Sequence, residues 1–550
     1  SIRHGSRHPN AMDTATAMAM DTDMKRNSLP TIAAAGITVF GLISVADAQI
    51  AGMGAAPITM PDRALGNEPG TGRAWNIVPR ISLTETLSNN INLASSEQQT
   101  GLITQVIPGV RVDGRTARLK MYFDYALSGN FYTNGSQNSN TNSYLTTFGT
   151  FEAVENWMFV DFRGMISQQL INPFGTQSPS NAYDNRNTAQ TGSYGVSPYI
   201  RGQFAGASEY FLRYNYSYTN SGTSGYSDVT LSQWLGQLRG NTRFQNLKWT
   251  IDGSQQSTDY SRGRNYDDQR LRAMLTYHLF PEFNISGSGG TESNNYQSLG
   301  MEQHTTYGYG FDWAPTDRTT VSAFQEERFF GNGHNVLFSH RFPLSTIRYT
   351  DVRDVSFIPG QYTTSGMGTF YDMYFEQFAS LIPDPGARSS YVRNMLSQAG
   401  ISPNAQATSD YLGNRPRVQR LQQLSLILYG SRNSITFAAT RSNNEALTAV
   451  PGAAGTAIGN LSRIEQQGYI VFFSHRMTPL TALNLSGNRQ TTESGQFAIP
   501  KTTMTTYQAG ISTRFGPKTV GSLNLRHSQF DSPLNPYDET ALVGTIALFF

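Results

Sequence analysis

The chain of 550 residues contains no cysteine. That removes disulfide frameworks and thiolate-ligated metals. Charge is sparse, with 15% Asp, Glu, Lys and Arg and a net charge of +2. So near a balance argues against a nucleic-acid partner. After the amino-terminal region no window holds eighteen consecutive apolar residues, so no helix is expected to cross a membrane. Also missing are a GxSxG elbow, an HExxH pair, a P-loop and a Rossmann fingerprint after a strand. No cofactor, metal or catalytic residue is therefore called for, although a hydrolase site assembled inside a barrel from distant residues would leave no motif. His340 and His475 share a Ser-His-Arg context beside short turns. Neither has a carboxylate at ligand spacing, so both read as rim polar residues of a recurring hairpin.

What is present is glycine (51), tyrosine (28) and phenylalanine (31), in a chain only 38% hydrophobic. This suits strands with one apolar and one polar face. A mean hydropathy of −0.40 is compatible with a membrane barrel, because only alternate residues meet lipid.

The organising stretch is the last eleven residues, TALVGTIALFF. Counting back from Phe550, Leu548, Ile546, Gly544 and Leu542 alternate with Phe549, Ala547, Thr545 and Val543, the period of a β-strand. An aromatic last residue with apolar side chains at the third and fifth positions from the end looks like the closing strand of a bacterial outer-membrane barrel. In that likeness Phe550, Leu548 and Ile546 form the signal read by the barrel-assembly machinery. A soluble sandwich could also end on such an edge strand.

At the other end, residues 1–23 lack apolar periodicity and read as a non-native leader. From Met24 the pattern is that of a Sec signal peptide (24–48). Lys25 and Arg26 precede an apolar run from Ile32 to Val45, and Ala46-Asp47-Ala48 offers cleavage before Gln49. Residues 49–73 read as a periplasmic linker and 74–550 as the barrel, which places the protein in the outer membrane in contact with lipid and lipopolysaccharide.

Within 74–550 one module repeats. Val106, Pro108, Val110 and Val112 run into Asp113-Gly114, a strong hairpin signal. Leu119, Met121, Phe123, Tyr125 and Leu127 return with Lys120, Asp124 and Ser128 on the opposite face. Pro108 lacks a ladder donor and departs from an ideal central strand. Similar alternation flanks Gly206-Ala207-Ser208, Phe280-Pro281-Glu282, Ala314-Pro315-Thr316-Asp317, Phe342-Pro343, Thr478-Pro479 and Gly516-Pro517. These turns are short. The opposite connections (129–143, 168–192, 252–267, 290–304, 441–466, 526–538) are longer and polar, matching periplasmic and extracellular ends. Aromatics near the short turns (Phe280, Phe283, Trp313, Phe342, Phe515) suit an interfacial girdle. The reading is an all-β fold: one large antiparallel transmembrane β-barrel of about 22 strands, with 18 to 24 defensible.

Several stretches resemble the PEP-CTERM system-associated outer-membrane protein family. They are TQVIPGVRVDGRTARLKMYFDY, RGRNYDDQRLRAMLTYHLFPEFNISGSGG, and FDWAPTDRTTVSAFQEERFFGN with the following FSHRFPLSTIRYTDVRDV. The resemblance extends over most of 73–550. It implies a barrel associated with exosortase and exopolysaccharide loci of Gram-negative bacteria, with exopolysaccharide or its export complex as a partner. It carries no catalytic signature.

Residues 355–416 break the strand rhythm. Tyr371, Tyr374, Phe375, Phe378 and Leu381 fall at helical spacing, and so do Val392, Met395 and Leu396. A helical insertion that plugs or caps the lumen is expected. The strand faces opposite the apolar ones supply candidate lumen-lining charges: Arg111, Lys120, Asp124, Asp161, Arg201, Arg213, Lys248, Asp252, Arg270, Arg272, Asp312 and Arg526. Their basic excess would favour an anionic polymer, whereas interlocking Arg–carboxylate pairs would leave a solvated lumen without that preference. The functional expectation is a porin-like protein assisting exopolysaccharide export or surface assembly. The alternatives are a non-conducting anchoring barrel and, less favoured, a barrel-embedded hydrolase.

Overall fold

The computed structural model describes residues 74–133, 139–204, 208–224, 226–357, 392, 411–413, 415–447, 463–495 and 501–550. They form twenty-two strands. The first eight are β1 (Trp75–Ser88), β2 (Gly101–Arg115), β3 (Leu119–Tyr132), β4 (Asn140–Val154), β5 (Met158–Leu170), β6 (Thr188–Phe204), β7 (Ser208–Asn220) and β8 (Val229–Asn241). Next come β9 (Leu247–Tyr260), β10 (Tyr266–Phe280), β11 (Phe283–Asn294), β12 (Glu302–Thr316), β13 (Thr319–Arg328), β14 (Gly331–Arg341) and β15 (Ser345–Ser356). The last are β16 (Arg417–Tyr429), β17 (Asn433–Ala446), β18 (Arg463–Arg476), β19 (Thr481–Ser494), β20 (Thr502–Gly516), β21 (Thr519–Asp531) and β22 (Tyr537–Phe549).

Each strand pairs antiparallel with the next, and β22 closes on β1 from Arg80–Phe549 to Ser88–Ala541. The Phe550 N–H donates to the Pro79 carbonyl at 2.9 Å, so the last residue completes the seam. Closure leaves no sheet edge to be satisfied in lipid. Leu542, Ile546, Leu548 and Phe550 face outward and are exposed. So are Ile77, Ile81, Leu83, Leu212, Tyr216, Leu271, Leu275, Tyr307 and Tyr309, while their sequence neighbours point inward. This is the inverse of a soluble fold, with the apolar face outside.

The connections are asymmetric. At one end they hold two to five residues; at the other they run up to the segment 357–416. Phe280, Trp313, Phe342 and Phe515 are exposed beside the short turns, and Phe283 is half-buried between Phe280 and Phe311.

Three expectations need correction or limits. The strands extend further toward the long connections than apolar alternation indicates. β9 reaches Tyr260, where a loop from 252 was expected, and β21 reaches Asp531 instead of stopping near 526. Above the lipid both faces of a strand are polar, so alternation fades while the hydrogen-bonded ladder continues. Pro108 is accommodated: the ladder to β3 omits Ile107 and Pro108, yet Val106–Gly129 and Gly109–Ala126 share one register. Pro198 does the same between Val196–Tyr216 and Tyr199–Arg213. Finally, Tyr371, Tyr374, Phe375, Phe378, Leu381, Met395 and Leu396 lie outside the described residues. Val392 is described singly, helical and fully buried, so the described residues do not support a helical insertion as an element.

Candidate functional site: the lumen and its mouth

All twelve sequence-derived lumen candidates stand in the phase opposite the lipid-facing side chains. On the β5–β15 wall most are paired. Arg213 bonds Asp161 at 2.9 Å, both essentially unexposed, and Thr150 Oγ1 donates to the same carboxylate at 2.7 Å. Arg272 bonds Asp252 at 2.8 Å, and Gln237 Nε2 donates to Asp252 at 2.8 Å. Arg270 pairs with Glu326, and Arg328 bonds Glu292 at 2.9 Å and also pairs with Asp354. Asp312 accepts from Ser322 Oγ at 2.6 Å. Nearer the short turns, Asp124 takes Arg80 Nη1 at 2.9 Å and the Tyr122 hydroxyl at 3.0 Å, and Arg111 pairs with Asp113 at 3.1 Å.

Arg270 reaches Glu326 over two intervening strands, and glycines floor the neighbouring part of β12. A Cβ on Gly310 would stand 2.6 Å from the Phe324 ring, and one on Gly308 would stand 3.0 Å from it. Phe324 therefore lies flat on β12, and the Arg272 guanidinium sits 5.7 Å above its ring. Replacing such a buried pair by apolar side chains would cost little, but removing one partner strands a charge and costs about 3–5 kcal/mol. The pairs thus hold the wall's conformation while neutralising its charge.

The β17–β20 wall is different. Its inward side chains include Thr436, Thr440, Ser442, Asn444, Gln466, Asn484, Gln490, Thr492, Thr502 and Ser512, all buried and uncharged. Some of them hydrogen-bond along the wall, as in Ser474–Asn484 at 2.9 Å and Asn484–Ser512 at 3.1 Å. The remaining cations of the expected set, Lys120, Arg201 and Lys248, lie toward the short-turn rim, with Arg201 4.6 Å above the Phe159 ring. None of these three has a carboxylate partner among the described residues. The two rim histidines are held in their hairpins, His340 by Thr319 Oγ1 at 2.7 Å and His475 by Asn433 Oδ1 at 2.6 Å.

The long-loop mouth is narrowed by a segment the sequence did not single out, the β5–β6 connection 171–187. Tyr183 on this loop donates to Glu539 at 2.5 Å and accepts from Arg526 Nη2 at 2.9 Å. Glu539, fully buried, also takes Ser88 Oγ and Arg526, each at 3.1 Å. Burial is the largest influence on the Tyr183 hydroxyl and pushes its pKa well above the ordinary tyrosine value, so it stays a donor. Tyr537 donates to the Gln177 carbonyl at 2.5 Å, Asn535 to Thr176 Oγ1 at 3.1 Å, and Tyr132 to the Ala182 carbonyl at 2.7 Å. Beneath these bonds Ile91, Leu93, Ile103, Ala182, Tyr183, Met504, Phe530 and Tyr537 form an apolar core inside the mouth.

A second crossing involves the β15–β16 segment. The β4 ladder to β5 stops at Leu145–Ile166, and above it the Leu412 N–H donates to the Leu170 carbonyl at 2.9 Å. β5 and β16 are eleven strands apart in a ring of twenty-two, that is, opposite one another. Six residues from Tyr411 to Arg417 span at most about 20 Å. A circular ring of this size would be roughly 44 Å across, at a 4.8 Å strand spacing and a tilt of about 40°. The mouth is therefore well short of circular width there, and Leu170, Phe174, Tyr411 and Ile464 pack together in it.

Sequence reasoning missed Arg80, Glu292, Glu326, Arg328, Asp354 and Glu539, and it missed Tyr183. Arg80 and Glu539 could have been found, since each stands in inward phase with an apolar series (Ile81, Leu83; Leu542, Ile546). Tyr183 lies in a loop with no period to reveal it.

No protein-family model matches the chain, and no curated protein matches it. Among solved structures it is similar to the siderophore receptor PirA from Acinetobacter baumannii, with 10% identity over 86% of this chain and 80% of that one (TM-score 0.43). It is similar to the ferric-catecholate import receptor Fiu from E. coli K12, with 6% identity, coverages of 88% and 82%, and a TM-score of 0.45. It is also similar to Pseudomonas aeruginosa OprD, with 6% identity, coverages of 88% and 98%, and a TM-score of 0.30. The closed ladder, the apolar outer face and the one-sided connections make this a membrane-spanning β-barrel with the fold of outer-membrane barrels.

Proposed function

We propose that the protein is an outer-membrane conduit assisting exopolysaccharide export or surface assembly in a PEP-CTERM/exosortase system. The observation that carries the conduit is a lumen lined by neutral amides and hydroxyls on one wall and by charge-neutralised ion pairs on the other. A glycan can exchange its water hydrogen bonds for those of such a wall. The assignment to that system is supported by the sequence resemblance alone. A preference for anionic polymer finds no support in the buried arginines, which are consumed by Asp161, Asp252, Glu326 and Glu539. Any such preference falls to Lys120, Arg201 and Lys248 at the short-turn rim, where a polymer would enter from the periplasm. Assembly would need the barrel-assembly machinery, and export a signal peptide cleaved near Ala48/Gln49. No enzymatic step is proposed.

Planar-bilayer conductance of the purified full-length barrel tests the conduit, and surface polysaccharide in a deletion strain tests its use. A correctly inserted, silent barrel would overturn the first. The packed mouth favours a second reading, a non-conducting barrel that anchors polysaccharide or surface proteins. Silence together with loss of surface polysaccharide would establish it.

A further inference from the structure

Toward the long connections the outward face of the wall turns polar, and across β14–β18 it does so with a cluster of charges. Across β14–β18, register partners form successive outward rows. Phe338, Tyr349, Leu424, Ala439 and Tyr469 make an apolar row. Directly above it come Val336, Asp351, Gln422, Arg441 and Gln467, and above those His334, Arg353, Arg420, Asn443 and Glu465. From β15 to β18 both of these outward rows are polar.

The polar rows are organised around two carboxylates lying beneath arginines. Asp351 accepts Arg420 through both oxygens at 2.9 and 2.6 Å, and also His334 at 2.9 Å and Gln422 at 2.9 Å. Glu465 takes Arg441 at 2.7 Å, Arg463 at 3.0 Å and Gln467 at 2.8 Å. Exposure is one-sided: the carboxylates are 9% and 15% exposed, while Arg420, Arg441 and Arg463 are 43%, 51% and 45% exposed. The carboxylates hold the guanidinium planes, and the guanidinium groups keep free faces toward whatever lies beside the barrel. Arg353 adds a fourth cation, loosely paired with Glu445 at 3.7 Å.

We infer that this sector binds the phosphates of an outer-leaflet glycolipid. An amphipathic lipid beside the apolar row must place its headgroup at the height where that row ends, and preoriented guanidinium forks match phosphate oxygens. The site lies on the outer wall and is independent of what crosses the lumen.

The test is binding of bis-phosphorylated lipid A to the detergent-solubilised full barrel, with dephosphorylated lipid A as the comparison probe. Wild-type protein should retain the phosphorylated form severalfold better. The triple variant Arg420→Gln/Arg441→Gln/Arg463→Gln should lose that preference, and the corresponding triple Lys variant should keep part of it. Equal retention of the two lipids by wild type overturns the inference, and so does a Gln variant that keeps the preference. If the Gln variant instead converts an oligomer to monomer with lipid binding intact, the sector is an interface between copies and the inference fails. Should the Gln variant not assemble, the wild-type comparison of the two lipids decides by itself.

Discussion

Tyr183→Phe separates the loop from the wall it rests on. The substitution keeps the ring in its apolar core and removes one donation to Glu539 and one acceptance from Arg526. The two wall residues keep each other at 3.1 Å, so no buried charge is stranded. Hydrogen bonds to charged groups contribute about 1.5–3 kcal/mol each. The carbonyl and Thr176 anchors of the loop remain, so one such increment is a fair estimate of the loss. At 1.4 kcal/mol per decade, the ratio of released to docked loop should rise roughly 10- to 100-fold. Two measurements read it: the open probability in single-channel recordings, and the rate of tryptic cleavage after Arg186, which lies in the same loop. Both should increase, while heat-modifiable migration stays normal. If the variant matches wild type in both, the Tyr183 contact does not hold the loop in the mouth and the constriction argument is wrong.

The buried phenol gives this latch a pH signature. Its pKa is raised on docking, so the docked state holds its proton longer, and docking should be insensitive to pH up to about 10 and weaken above it. Conductance rising already between pH 7 and 9 would contradict this. Phe550→Asp should block membrane assembly, since the terminal residue closes on Pro79 and faces outward; normal yield of heat-modifiable protein would refute the seam's role. Leu271→Arg, on the outer face beside Gly253 and Thr291, should destabilise the barrel by about 2–4 kcal/mol if it lies near the bilayer midplane. Lys248→Gln, facing the lumen, should not, and equal denaturant midpoints for the two variants would refute the assignment of faces. Replacing 358–410 and the following residues up to 416 by a four-residue Gly/Ser linker should leave the barrel intact, because Ser356 and Arg417 are register partners. Permeability should then rise, since the Leu170–Leu412 crossing is gone. An unchanged conductance would locate the restriction in 171–187 alone.

Legibility differed sharply between elements. The hairpin around Phe280-Pro281 was readable because turn chemistry and period-two alternation are local, whereas Asp113 and Gly114, expected as a turn, lie inside β2 paired with Tyr122 and Met121, and the turn falls at 116–118. The same alternation put Arg213, Asp252 and Arg272 on the lumen side, since a strand has only two faces. It did not reveal that Arg270 would reach Glu326 three strands away. That contact joins residues on strands separated by two others, a neighbourhood that only the ring sets. Nor did it show the 171–187 loop as the occupant of the mouth. Its anchors, Glu539, Tyr537 and Asn535, lie more than three hundred residues later, and the loop has no period to mark it.

By itself the sequence determined that the chain is built of about 22 alternating strands, with its apolar face outward and its short turns at one end. Each of those properties is written in side chains one or two positions apart. Closure of β22 on β1, the pairing that neutralises the lumen, the narrowing of the mouth and the polar sector on β14–β18 were decided only by tertiary structure. All of them join residues whose neighbourhood is set by the ring and its register rather than by the chain. A one-residue shift in that register would reverse every face it involves.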